Sequence, residues 1–174
     1  MVGSGRPWPG CEFQDSEVAL VAPTVRRFSG LAEIADAVGT ELGPTEGLSI
    51  TQARIDLFAE ATDDAQWIHV DPTRATAGPF GETIAHGLLT LSLLPRFHQD
   101  MYGVDGVSLA INYGFNKVRF ITPVPTGSVL RARAKVEKVD RLDGAAQVTL
   151  ITTIELEGAA KPAAVVESVV RYVE

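Results

Sequence analysis

The stretch from His86 to Met101, "HGLLTLSLLPRFHQDM", is apolar on nearly every face of a helix through its first two turns. A helix lying on a protein surface needs a polar face, so this segment predicts a helix enclosed by protein, the centre of the fold. Pro95 falls inside it. A proline in a helix interior has no N–H to give and costs about 3 kcal/mol, which predicts a kink or break at that point. The run Leu88 to Leu94 reads as core, and His98, with no patterned partner, reads as a surface or interface residue.

Beyond Gly106 the apolar period changes to two. Leu130, Ala132, Ala134 and Val136 alternate with Arg131, Arg133, Lys135 and Glu137. Val148, Leu150, Thr152, Ile154 and Leu156 repeat the alternation, and Ala164, Val166, Ser168, Val170 and Tyr172 follow. Such spacing predicts half-buried strands. The connections "DRLDG" and "EGAAKP" are short enough for antiparallel hairpins, and "VSLAINYGF" reads as an earlier strand. An antiparallel sheet packed on one buried helix is an α+β layer.

On the N-terminal side, Ile55, Phe58 and Ala59 keep helical spacing after a Thr51 N-cap, with Ser49 and Gln52 as a capping box. That helix should stop at "EATDD". Asp71-Pro72 reads as the cap and first residue of a short helix ended by Gly78-Pro79. Residues 1–27 are rich in Gly, Pro and Ser without a sustained period and read as a flexible extension; residues 28–174 read as one domain.

The chain has 174 residues, 45% hydrophobic and 21% charged, within the ordinary range for one filled domain. A net charge of -7 opposes a nucleic-acid or anionic-membrane partner. The single cysteine, Cys11, cannot form an internal disulfide or a thiolate cluster, so chemistry must come from oxygen and nitrogen groups. No apolar run approaches a bilayer span and no secretory leader pattern opens the chain, which predicts a cytoplasmic, soluble protein.

Between the two N-terminal helices lies "TDDAQWIHVD", Thr62 to Asp71. Asp64 and His69 can converge on one water if Trp67 and Ile68 turn the intervening loop into the core. In such a low-dielectric pocket a carboxylate and an imidazole serve as proton-transfer groups worth on the order of 10² to 10⁴ in rate. His86-Gly87 begins the central helix, where the Gly87 amide offers a donor for a developing oxyanion and His86 shapes the pocket or the helix start. Base plus oxyanion donor implies enolate-type chemistry. Asn112, Tyr113 and Asn116 lie on a strand that can border a substrate pocket, and Asp71 reads as a helix cap.

The run Phe58 to Ala75, "FAEATDDAQWIHVDPTRA", followed by "IAHG" at Ile84 to Gly87, resembles the signature of MaoC-like (R)-specific enoyl-CoA hydratases. The usual core of that signature, D-x-N-P-[IL]-H, is changed here at Gln66 and Trp67. This departure, together with "LAINYGFNKVRF" and "VVESVVRYVE", resembles a branch containing nodulation-protein-N-like and mycobacterial hydratases. The resemblance implies a hot-dog fold, in which a sheet wraps a long central helix, and a homodimer acting on trans-2-enoyl thioesters. It places the catalytic pair on Asp64 and His69 and the amide that binds the thioester carbonyl on Gly87. Gln66 and Trp67 then bear on pocket shape. Coenzyme A would be part of the substrate, with no separate cofactor and no metal.

The same reading gives the segment from Phe115 to Asp140 a role. Its six cations (Lys117, Arg119, Arg131, Arg133, Lys135, Lys138) face two acids, Glu137 and Asp140, and some of the six can meet CoA phosphates. Three other readings compete: a non-catalytic acyl-thioester binding module, a metal site of His69, Asp71 and His86, and a thioesterase on the same fold.

Overall fold

The computed structural model describes residues 25–174. Cys11 and all but the last three residues of the stretch read as a flexible extension lie outside the described residues. The elements are β1 (Arg26–Phe28), α1 (Leu31–Asp36), β2 (Glu41–Leu42), β3 (Leu48–Ser49), α2 (Gln52–Thr62), α3 (Trp67–Val70) and α4 (Pro72–Thr76). Then come α5 (Gly87–Ser92), α6 (Leu94–Met101), β4 (Tyr102–Val104), β5 (Leu109–Phe120), β6 (Val129–Leu142), β7 (Ala145–Leu156) and β8 (Ala164–Val173). Two residues of β1, Arg26 and Arg27, lie on the extension's side of Phe28.

The main sheet runs in the order β2-β6-β7-β8-β5, with β3 also on β6, and every pairing in it is antiparallel. The period-two residues point inward as the alternation requires. Leu130, Val136, Val148, Leu150, Ile154 and Val166 are fully buried, each worth roughly 1.5–3 kcal/mol relative to an exposed position. They form one cluster with Leu89, Leu93, Leu94, Phe97 and Met101 of the helix. The second sheet, β1 with β4, is parallel and follows directly from the helix's end.

The helix breaks where Pro95 predicts. α5 ends at Ser92, and α6 begins at Leu94 with the proline in its first turn. The amide of Phe97 bonds the Leu93 carbonyl at 3.0 Å, the first bond of the new helix from its N-cap. Two expectations about this helix are corrected. Leu88 is 60% exposed, so one face of the first turn is open in the single chain. His98 is buried, and its Nε2 lies 2.9 Å from the Thr152 hydroxyl.

Thr51 caps α2 by accepting from the Arg54 amide, and Asp71 caps α4 in the same way through Arg74. The Ser49–Gln52 capping box does not form. Gln52 turns its amide away from the helix start, toward residues brought in from elsewhere in the fold. Four of the six cations between Phe115 and Asp140 are committed on the strands: Arg131 to Glu157, Arg133 to Glu155, Lys135 to Glu137 and Lys138 to Asp140. Among the described residues this leaves Lys117 and Arg119 as the two of the set without an acidic partner.

Candidate active site

α2 ends on Asp63, whose φ of 56° and ψ of 21° place it in the left-handed region that a short polar side chain tolerates. That single residue turns the chain out of the helix and sets Asp64 beside the start of α5. The next residues form a helical turn, α3, where the sequence predicts a loop. Winding the turn brings His69 inward and leaves Trp67 and Ile68 half-buried. Trp67 packs outward, under the Arg74 guanidinium at 4.4 Å and against the space at Gly78. Its ring covers α4, and the Ile68 carbonyl accepts from the Ile84 amide at 3.0 Å.

His69 is buried, and its Nδ1 lies 2.6 Å from the Ile84 carbonyl oxygen. A carbonyl only accepts, so Nδ1 carries the proton and Nε2 of the neutral ring holds a free lone pair. Burial holds the His69 pKa below 6.5; the bond to Ile84 opposes this, the neighbouring His86 charge adds to it, and Asp64 opposes it. The neutral base form therefore prevails near pH 7.

His86 is buried too. Its Nε2 donates to the Asp64 main-chain carbonyl at 2.9 Å and stands 3.9 Å from the Asp64 carboxylate. Its Nδ1 is buried with no hydrogen-bond partner among the described residues. The carboxylate of Asp64 is not enclosed as the sequence reading expects: its side chain is 53% exposed.

Asp64, His69 and His86 each hold a nitrogen or oxygen within 4.8 Å of the other two. This differs from the metal triad read from sequence, because Asp71 is occupied in capping α4. The histidine rings stack with 26° between planes. Metal ligation uses the lone pair in the plane of each ring at about 2.1 Å, and two near-parallel planes do not converge on a point that close. Groups of this kind at this spacing can exchange protons with a bound water.

Beside His69 opens a cavity of about 330 Å³, lined by Ile84, Gly87, Thr90, Phe120 and Val124 among others. Gly87 lies under the Phe120 ring, and a Cβ built there would stand 3.0 Å from it. Thr90, buried one turn along α5, faces the same hollow, a contact that no local sequence pattern announced. The structure thus brings His69 and Gly87 to one cavity, with Asp64 and His86 adjoining. Gln66 is the exposed N-cap of α3, and Trp67 faces α4. Asn112 lines hollows on the other flank of the helix, Tyr113 lies 4.2 Å beneath Arg171, and Asn116 bonds Glu167.

A model of the MaoC like domain family matches residues 33–159. Over 150 residues the chain is 57% identical to 3-hydroxyacyl-thioester dehydratase Z of Mycobacterium tuberculosis, covering 86% of this chain and 99% of that protein. It is 43% identical over 136 residues to nodulation protein N of Rhizobium leguminosarum bv. viciae, covering 76% and 84%. Among solved structures, the unliganded R-hydratase PhaJ1 of Pseudomonas aeruginosa superposes with a TM-score of 0.64 at 26% identity, covering 79% of this chain and 82% of that one. The fold is the α+β hot-dog arrangement of these relatives.

Proposed function

Because the chain belongs to the MaoC-like family of hydratases and dehydratases, we propose that it interconverts trans-2-enoyl-CoA and (R)-3-hydroxyacyl-CoA by syn addition and removal of water. The observation that carries this reading is the unprotonated Nε2 of buried His69 beside Gly87 in one cavity, with Asp64 adjoining.

Water sits between the Asp64 carboxylate and His69 Nε2. One of the two takes a water proton while the oxygen adds to the β-carbon. Charge then develops on the thioester oxygen, opposite the Gly87 amide, where one donor contributes roughly 3–4 kcal/mol to the transition state. A proton returned to the α-carbon on the same face completes the product and restores the pair. Atoms balance without a redox partner, and coenzyme A enters only as part of the substrate.

The unit that works is a homodimer. The outer edge of β5 has no partner strand among the described residues, and Leu109, Ile111, Tyr113 and Phe115 along it are exposed, as is Leu88 of α5. A second copy laid on this edge would cover them and bring further protein toward Asp64.

The test follows the conjugated-enoyl absorbance of crotonyl-CoA and longer enoyl-CoAs on adding purified protein, with stereochemical analysis of the product. Asp64→Asn and His69→Gln should each lose about 10² or more in kcat while remaining folded. An unchanged absorbance across the series, or an (S) product, overturns the proposal.

A further inference from the structure

Building on the hydratase reading of Asp64 and His69, we propose that Gln52 is the positioning residue of the site: its carboxamide fixes the main chain of His69 and, through it, the direction of the imidazole lone pair. Gln52 stands in the first turn of α2, half-buried, facing away from that helix's own cap. Its Nε2 donates to the His69 carbonyl oxygen at 2.7 Å and to the Asp56 carboxylate at 2.7 Å. Its Oε1 accepts from the Thr83 hydroxyl at 2.5 Å and the Thr126 hydroxyl at 3.1 Å, and the two hydroxyls lie 2.7 Å apart.

These partners admit one orientation of the amide. A carbonyl and a carboxylate can only accept, so both must face the NH₂ end, which leaves the oxygen for the threonines. Glutamate would have no donor for His69, and lysine no acceptor for the hydroxyls. Three of the four bonds, to His69, Thr83 and Thr126, come from segments far apart in sequence, so they form only when the fold is complete.

The geometry links both ends of the His69 ring's support. The ring bonds the Ile84 carbonyl at 2.6 Å, and the residue before Ile84 is Thr83, which Gln52 also holds. Thr83 is buried, and its carbonyl accepts from the Thr126 amide at 2.9 Å. One carboxamide therefore spans from the His69 backbone to the segment that receives the His69 ring. A bond serving only to tie α2 to the turn before β6 would need neither partner. Loss of this span would let the ring pivot about its bond to Ile84, and a displacement near 1 Å at a reacting group can cost about 10²-fold in rate.

The decisive comparison is Gln52→Leu against the full-length wild type. We expect kcat on crotonyl-CoA to fall about 10- to 100-fold with KM within about twofold, since a misaimed base spoils the chemical step and leaves binding in place. In proton NMR, the downfield His69 Nδ1–H resonance, sheltered from exchange in the wild type, should broaden or disappear. An unchanged kcat, a rise in KM alone, or an unaltered resonance overturns the proposal. If Gln52→Leu fails to fold, Gln52→Glu, equal in size but without donors, carries the same two readouts. Failure of both to fold would make Gln52 a residue of the fold only and would also overturn it. The resonance needs no turnover, so an inactive wild type would sink the hydratase reading while the tie between Gln52 and His69 is still decided by NMR.

Discussion

The imidazoles of His69 and His86 lie face to face, ring centroids 3.7 Å apart. The proton of one goes to the Ile84 carbonyl and that of the other to the Asp64 carbonyl, so both tautomers are set by main-chain oxygens. Burial is the larger cause that keeps the His69 pKa below 6.5, and the His86 charge adds to it. Protonation of Nε2 removes the base, so kcat/KM should hold near neutral pH and fall as pH drops through an apparent value below 6.5. Replacing His86 by Asn opens His69 to water and removes the like charge, both of which raise its pKa. The acid limb of the profile, measured from pH 5 to 8, should therefore move upward, with kcat about tenfold lower because Asp64 loses its anchor. An acid limb that stays in place would contradict this account.

Gly87 and Phe120 occupy one another's space. A methyl at Gly87 would stand 3.0–3.1 Å from three atoms of the ring, so tight that the ring must give by a few tenths of an ångström. Phe120 is 49% exposed and can swing outward, so Gly87→Ala should fold with about 1 kcal/mol or less lost. The displaced ring no longer walls the cavity, and kcat/KM should fall about tenfold. Phe120→Ala frees the space beforehand. The pair of changes should thus be non-additive by about 0.5–3 kcal/mol in a double-mutant cycle, the range for side chains in contact. Strict additivity would show that the methyl acts on the substrate and not through the ring.

Long periodic segments were readable from the chain because β6, β7 and β8 each carry their own burial signal, and Pro95, Thr51 and Asp71 act within one turn. The short pairs β1 with β4 and β2 or β3 with β6 span two or three residues, too few to show a period. His98 did carry a signal: with Leu94, Phe97 and Met101 it falls on one helical stripe, and all four are buried. The five-residue step from Asp64 to His69 was visible, whereas His86 reaches Asp64 across 22 positions and Gln52 reaches Thr126 across 74. Bonds of that span are products of the tertiary fold and leave no local trace.

His98 should make the protein sensitive to acid independently of the active site. Burial pushes its pKa down from 6.5 to about 4, with one neutral bond to Thr152. The unfolded chain binds the proton first, so the penalty is absent near pH 7, begins as pH falls through 6.5 and is complete near 4. The difference amounts to roughly 3 kcal/mol. His98→Gln keeps a partner for Thr152 and cannot titrate. Denaturant unfolding at pH 7 and pH 4.5 should therefore show the wild type losing more stability than the variant, by roughly 2 to 3 kcal/mol. Equal losses would mean that His98 is accessible to solvent in the folded protein.

The open edge of β5 supplies the last prediction. On its inner side the strand bonds β8 from Leu109↔Val173 to Phe120↔Ala164, and on its outer side its N–H and C=O groups meet no strand among the described residues. Edge strands that stay single are usually short or guarded by charge, because an unpaired row of backbone groups recruits another chain. This one is twelve residues long and carries exposed Leu109, Ile111, Tyr113 and Phe115, with its cations confined to Lys117 and Arg119 near one end. Antiparallel pairing of two copies would satisfy those groups and bury the apolar side chains. Ile111→Lys places like charges against each other across such a seam and should shift the protein from dimer to monomer in light scattering at micromolar concentration. Activity should fall with it, since the Asp64 side chain is 53% exposed in the single chain and would gain cover from a second copy. A wild type that is monomeric, or an Ile111→Lys variant that remains dimeric and fully active, would remove β5 from the interface.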